Sequence, residues 1–229
     1  MHPPILITGA ARSGTSMTAG IVHFCGAWGG HTCGSTQWNK KGQFENLQIR
    51  ELIIKPYLRS MGVDPLGQDP LPDVNNLMPC PDLARRIEFI LKTQDYHGQR
   101  WFFKGAKMCL IWPVFHAAFP DAKWLIVRRD DEDIVNSCLR TRFMHKREGI
   151  DGWSAWVDEH KKRFAEMLDS EMQAREVWPK KFLENDFAEM RSAIDWLGLE
   201  WNENRVRDFI DPKLFHKGAK SWQESHNLK

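Results

Sequence analysis

Apolar positions change period several times along the chain, and each change predicts an element. Ile5 to Thr8 is a short apolar run stopped by Gly9, as in a strand buried on both faces. Thr15 to Phe24 reads as a helix, so the chain opens strand, glycine-bearing loop, helix. Leu47 to Met61 is helical in pattern, with Pro56 expected to kink or divide it. Asp82 is placed to cap a helix whose apolar positions Leu83, Ile87, Ile90 and Leu91 share a face. Trp101 to Phe103 and Lys123 to Val127 read as second and third strands, with a short helical stretch from Ile111 to Phe119 between them. Helices follow at about 131–141 and 153–173, the second carrying Trp153, Trp156, Val157, His160, Phe164, Met167 and Leu168 on one face. Val177 to Leu183 is the expected last strand, and Asp186 with Glu189 suggests a capping box opening a helix that Gly198 closes. Strands alternating with helices predict an α/β fold, a parallel sheet of about four or five strands flanked by helices.

Between these elements lie two long irregular stretches. Gly26 to Gly42, rich in Gly, Trp and polar residues, reads as a functional loop rather than a linker. Pro65 to Pro81 is proline-rich and reads as a surface crossing. With 229 residues and no repeat, the chain is expected to be one domain over 1–229, with a tail from about 219.

Composition narrows the function classes. The 32 Lys and Arg nearly balance the 30 Asp and Glu, giving a net charge of +2, so nucleic acid is not favoured as a partner and functional positive charge must be local. Gly9 and Arg12 break the N-terminal apolar run before a signal-peptide core forms, and no run approaches the roughly 18 apolar residues of a membrane span, so no membrane partner is expected. Five cysteines, an odd number without paired short spacings, argue for free thiols in a reducing, cytoplasmic setting and against a metal site.

The first strand runs into Gly9-Ala10-Ala11-Arg12-Ser13-Gly14-Thr15-Ser16. Backbone amides of such a turn, ahead of a helix N-terminus, form an anion cradle, although an ordinary strand-to-helix turn with two glycines has the same outline. A nucleotide-hydrolysing P-loop places Lys after the second glycine, and then Ser or Thr for Mg²⁺. Here Thr15 holds the lysine position and the cation, Arg12, lies inside the loop. A singly charged sulfuryl group needs less neutralisation than a γ-phosphoryl group, which usually enlists metal. The third strand ends in Arg128-Arg129, followed by Asp130-Asp131-Glu132-Asp133 and then Ser137 on the next helix. A guanidinium fork and a hydroxyl can grip one phosphate together, though a solvated helix cap would give the same spacing.

With both segments in view, the chain resembles the 3′-phosphoadenosine-5′-phosphosulfate (PAPS)-dependent sulfotransferases, of the bacterial and carbohydrate branch. Arg12-Ser13-Gly14-Thr15-Ser16 is similar to that family's 5′-phosphosulfate loop, and Arg129-Asp130-Asp131-Glu132-Asp133 with Ser137 to its 3′-phosphate motif. Phe119-Pro120-Asp121-Ala122-Lys123, Lys104-Gly105-Ala106-Lys107 and Asn39-Lys40-Lys41-Gly42-Gln43-Phe44-Glu45-Asn46 resemble further stretches of the branch, and Phe215-His216-Lys217-Gly218 its closing element. Asp131 replaces the usual proline, His216 an arginine, Met17 a tryptophan and Leu183 the adenine-contacting tyrosine.

The resemblance implies a single P-loop-type domain with PAPS across the carboxyl ends of the strands. Ala11, Arg12, Ser13, Gly14, Thr15 and Ser16 would hold the phosphosulfate, with Arg129, Ser137, Lys217 and Gly218 at the 3′-phosphate. The products would be a sulfated hydroxyl or amine and adenosine 3′,5′-bisphosphate (PAP), with no metal. Cytosolic members use a histidine after the second strand, but Lys104 to Leu110 contains none. The branch that this chain resembles more closely uses a glutamate instead, which implies Glu45 as the base, its rival role being to cap the helix from Asn46, with Arg12 and then Lys104 as cations for the leaving group. His23, His31 and His160 read as structural or surface residues, and Trp28 and Trp38 as candidate walls for a small-molecule, carbohydrate or peptide acceptor. Two other readings stay open: a small-molecule or nucleotide kinase, which Thr15 disfavours, and a nucleotide-binding regulator without catalysis.

Overall fold

A computed structural model describes residues 1–35 and 40–211. Strand β1 (Ile5–Gly9) leads through the glycine-bearing loop into helix α1 (Thr15–Phe24). A long loop then reaches α2 (Leu47–Ile49), which continues through a π turn (Arg50–Ile54) into α3 (Lys55–Ser60). Helix α4 (Leu83–Lys92), strand β2 (Phe102–Lys104), a 3₁₀ turn (Ala106–Ile111), α5 (Trp112–Ala118) and β3 (Lys123–Val127) follow. After them come α6 (Asp131–Leu139), α7 (Gly149–Asp169), β4 (Gln173–Val177), α8 (Pro179–Leu183), α9 (Ala188–Leu197) and α10 (Glu203–Phe209).

The four strands form one sheet in the order β2-β1-β3-β4, and every neighbouring pair is parallel. Successive side chains face opposite ways, which splits the core in two. Leu6, Phe103, Trp124 and Ile126 face helices α2 to α7. Ile5, Ile7, Phe102, Leu125 and Val127 face α1, α8, α9 and α10. The expected α/β architecture with helices on both faces is the one found.

Several local expectations are corrected. The last strand is Gln173–Val177, and Pro179 opens a short helix where the strand was expected to continue. Pro suits the first turn of a helix, whereas β4 is a half-exposed edge strand that its apolar content does not reveal. Asp82 makes no side-chain cap, and Glu189 turns away from its own helix to accept from the Trp178 amide at 2.7 Å. Strand β2 lies one residue later than expected, and Trp101 instead makes an isolated bridge to Trp28. Helix α7 begins at Gly149 and ends at Asp169, with Leu168 exposed while the other six residues of its apolar face are buried.

Pro56 neither divides its helix nor removes it. Lacking an amide hydrogen, it cannot serve the Leu52 carbonyl one turn back. The chain answers with the π turn just before it, and Arg86 of α4 donates to Leu52 O at 3.2 Å. Gly198 closes α9 as expected, in the left-handed region at φ 73°. An alanine there costs roughly 1–2 kcal/mol in backbone strain. Gly198→Ala should therefore lower the unfolding free energy by that much, seen as a lower urea midpoint at unchanged m-value, whereas an unchanged midpoint would show that another residue ends the helix.

Candidate active site

Strand β1 ends where there is no room for a side chain. A Cβ on Gly9 would lie 2.5 Å from the Val127 carbonyl oxygen and 2.8 Å from Ser13 Oγ. The loop that follows carries Arg12 and Gly14 at positive φ (75° and 103°) and turns into the start of α1. Gly14 caps α1 without a side-chain hydrogen bond, so amides at this helix start remain available to an anion. Ser13 is fully buried beneath the loop, and its Oγ has no hydrogen-bond partner.

Because β3 runs parallel to β1 with Gly9 opposite Val127, the two following loops leave the sheet side by side. Arg129 Nη1 donates to the Arg12 carbonyl at 2.9 Å, and Arg12 Nε donates to Ser137 Oγ at 3.0 Å. Asp133 lies 3.5 Å from Arg129 Nε. Burial lowers the pKa of both guanidiniums, as expected for cations taken partly out of water. Asp131, Glu132 and Asp133 occupy the first turn of α6, where the positive end of the helix favours them.

The other flank of β1 carries a carboxylate among cations. Thr8 Oγ1 donates to Gly105 O and accepts from the Cys109 amide, both at 3.0 Å, which fixes the loop after β2. Lys104, at the end of β2, lies 3.4 Å from Glu45 Oε2, and Arg50 Nη1 lies 3.6 Å from the same oxygen. Glu45 itself is held by its neighbours. Phe44 packs edge-on against Phe24 and Phe209, the Cys33 amide donates to Glu45 O at 2.9 Å, and Asn46 caps α2. Asn46 also donates to Gln94 at 2.7 Å from a buried position. The cap therefore belongs to Asn46, and Glu45 points elsewhere. Burial alone would raise its pKa, but Lys104, Lys107 and Arg50 hold it below the usual carboxylate value. Its Oε1 has no hydrogen-bond partner among the described residues.

A cavity of about 400 Å³ joins these groups. Ala11, Arg12, Gly14, Thr15 and Ser16 line it from the first loop, Arg129 and Ser137 from one flank, and Glu45 and Lys104 from the other. Ser13 lies just beneath. Lys217, Gly218 and Trp38 fall outside the described residues.

Sequence reasoning missed part of this wall and misplaced another part. Trp28 does not line the cavity; it packs against Tyr96 with ring centroids 5.6 Å apart. Trp156 and His160 of α7 line it instead. His160 is buried and bonds Trp156 O through Nδ1 at 2.8 Å, and burial pushes its pKa down to about 3, so the ring is neutral. Its regular place on the apolar stripe of α7 hid it. Arg50, Lys55 and Lys107 also line the cavity, and only Lys107 had a signal, its place two residues after Gly105. His116 is not part of the lining. Among the described residues no three His, Cys, Asp or Glu side chains are grouped to hold a metal, and no helix is long and apolar enough to cross a membrane. All five cysteines are free, with Cys25, Cys109 and Cys138 buried.

A parallel sheet with a glycine-bearing loop between β1 and α1 at its carboxyl edge defines a P-loop-like α/β fold. Residues 101–214 match the sulfotransferase domain family. No curated protein matches it in sequence. In fold it is similar to the sulfotransferase domain of the olefin synthase from Synechococcus PCC 7002, at a TM-score of 0.57 and 16% identity over 95% of this chain and 84% of that one. The sulfotransferase domain from the curacin biosynthetic pathway gives 0.56 and 12% over 96% and 79%. A sulfotransferase from Mycobacterium avium gives 0.53 and 14% over 90% and 67%.

The unpartnered Ser13 hydroxyl gives a direct test of the loop. A buried polar group without a partner costs about 1–3 kcal/mol. Ser13→Ala should raise the stability of the protein by about 1 kcal/mol in a urea titration. A loss of similar size would mean that the hydroxyl is hydrogen-bonded in solution.

Proposed function

We propose that this protein transfers the sulfuryl group of PAPS to a hydroxyl or amine acceptor and releases PAP. The observation that carries the reading is the stitching of two segments about 115 residues apart in sequence: the Arg12 loop and the Arg129/Ser137 cluster bond each other at the rim of one cavity. PAPS needs two anion sites of this kind. The residues present fit it. Gly9 leaves space that any Cβ would fill, the α1 amides have no side-chain cap, and Ser13 brings a buried hydroxyl without a partner.

In this reading the loop from Ala11 to Ser16 holds the phosphosulfate, and Arg129 with Ser137 holds the 3′-phosphate. PAPS supplies an activated sulfuryl group, whose S–O bond to the 5′-phosphate breaks as the acceptor oxygen or nitrogen bonds to sulfur. Arg12 and Lys104 neutralise the charge that grows on the departing phosphate oxygen. Glu45 receives the acceptor proton at Oε1. Its lowered pKa keeps it ionised at neutral pH but makes it a weak base, so the proton moves late, as the new bond to sulfur acidifies the acceptor. A kinase is disfavoured by Thr15 at the position where Lys would meet a γ-phosphate.

PAP should raise the melting temperature without added metal, and ATP with Mg²⁺ should raise it much less, since only a ligand of the native state stabilises it. Arg129→Ala should weaken PAP binding by about 1.5–3 kcal/mol. Adenosine 5′-phosphosulfate, which lacks the 3′-phosphate, should lose much less. Equal losses for both ligands would show that Arg129 acts only by holding the Arg12 carbonyl.

Glu45→Gln keeps the shape and an acceptor oxygen for Lys104 but cannot take a proton. Single-turnover transfer should fall by about 10²–10⁴-fold. PAP affinity should stay within about threefold, as expected for a residue acting in the transition state. Because the Glu45 pKa is depressed, the base persists as pH falls, and the acid limb of kcat/KM should lie below about 4.3, the ordinary glutamate value. Near-normal turnover in the variant would move the base elsewhere.

A further inference from the structure

The cations around the cavity form two groups, and the sheet order separates them. Arg12 and Arg129 are bonded together on the β3 side of β1. Lys104, Lys107, Arg50 and Lys55 lie on the β2 side, where Lys107 feels the charges of the other three and of Glu45. The carboxylates paired with this second group are Glu45 and Glu51. Glu51 bonds Arg50 and Lys55 at 2.8 Å and 2.7 Å, while Glu45 takes Lys104 and Arg50. Four cations thus meet two carboxylates. One sulfuryl group, with a single negative charge, would leave positive charge over.

Lys107 is where that excess is concentrated. Its ammonium has no hydrogen-bond or ion-pair partner among the described residues, and burial pushes its pKa down, with Glu45 only partly opposing this. The stem is fixed by the loop above it, since a Cβ on Gly67 would lie 3.0 Å from Lys107 Cγ. That loop is itself pinned. Trp156 Nε1 donates to Gly67 O at 3.0 Å, and buried Gln68 bonds Phe143 O and the His145 amide at 2.8 Å and 2.9 Å. A rigid, partly desolvated ammonium facing a cavity is a poor surface residue but a good seat for an anion. Beside it the wall turns apolar, with Leu66, Leu110, Phe143, Met144 and Trp156.

We propose that Lys107, supported by Arg50 and Lys55, forms an anion seat for the acceptor, so that the preferred acceptor has a hydroxyl on an apolar body that also carries a carboxylate or phosphoryl group. The inference rests on the sulfotransfer reading, because that reading assigns Arg12, Arg129 and Lys104 to the donor and leaves Lys107 unused.

The test is calorimetric titration of the PAP-saturated protein with 4-hydroxyphenylacetate, 4-hydroxyphenyl phosphate and methyl 4-hydroxyphenylacetate, which shares the ring and hydroxyl but has no charge. At least one acid should bind about tenfold or more tighter than the ester, the scale of one hydrogen bond to a charged group, and the better acid identifies the group. Lys107→Met keeps the packed stem and removes the charge. It should reduce the preference to within about threefold and leave PAP affinity unchanged, and Lys107→Arg should restore the preference. Equal binding of acids and ester overturns the proposal. So does a preference lost in Lys104→Met but kept in Lys107→Met, because the anion would then sit on the sulfuryl side. A separate titration with PAP alone distinguishes the two failures. PAP binding without an acid preference sinks the seat and spares the sulfotransfer reading. An acid preference that depends on Lys107, in a protein that does not bind PAP, does the reverse.

Discussion

The close approach of Gly9 to the Val127 carbonyl is the constraint on which the rest of the site depends. It lets β1 and β3 end level with each other, so that the loops leaving them emerge as neighbours. Two hydrogen bonds then join those loops, from Arg129 to the Arg12 carbonyl and from Arg12 to Ser137. In a partly desolvated setting such charge-assisted bonds are stronger than in water, and each fixes an atom that a ligand would need. The left-handed backbone at Arg12 is tolerable because Arg129 holds its carbonyl in place. A side chain at residue 9 would push the strand ends apart and dismantle both bonds.

On the opposite flank the balance is one of charge. Taking Glu45, Lys104 and Arg50 out of water costs on the order of several kcal/mol per ion, which attraction within the group must offset. Replacing a buried group of this kind with apolar side chains of similar volume is often neutral or stabilising, so the cluster adds little to the fold for what it costs. It keeps a carboxylate ionised at 7% exposure and holds two cations on Oε2, in a residue that lines the cavity. Thr8 links the flanks. It sits in β1, one residue before Gly9, and fixes the loop that follows Lys104 and carries Lys107.

The parts that sequence made legible are those with a local cause. A buried parallel strand needs an apolar run, and β1, β3 and α1 follow the pattern residue by residue, apart from Gly9 closing β1. The glycine-bearing loop and the Arg129/Ser137 pair, which the structure brings to one cavity, could be singled out because backbone geometry and fork-and-hydroxyl spacing impose residue types at fixed offsets. Strand β4 was not, because an edge strand of Gln173, Ala174, Arg175 and Glu176 needs no alternation when one partner and solvent satisfy it. Trp28, a candidate wall with ordinary packing as its rival role, packs on Tyr96, because a tryptophan in a loop carries no information about which way the loop folds back. His160 and Arg50 were hidden differently. His160 occupies an ordinary helical position that the packing of α7 turns toward the cavity, and Arg50 reads as ordinary helix in sequence but opens the π turn.

Arg50 and Lys55 show how a distant local defect shapes this site. Five residues apart on a regular α-helix, they would point about 140° away from each other. The π turn between them widens the helix, and the Lys55 amide bonds the Arg50 carbonyl, which brings both side chains to one side. There they share Glu51 and line the same cavity. Pro56 is the cause written into the sequence. Without an amide for Leu52 the α ladder cannot run on unchanged, and Arg86 takes up the carbonyl that is released. A proline that first reads as a helix breaker is thus what brings two cations to one cavity around a shared Glu51, and one arginine on a neighbouring helix takes up the carbonyl it leaves.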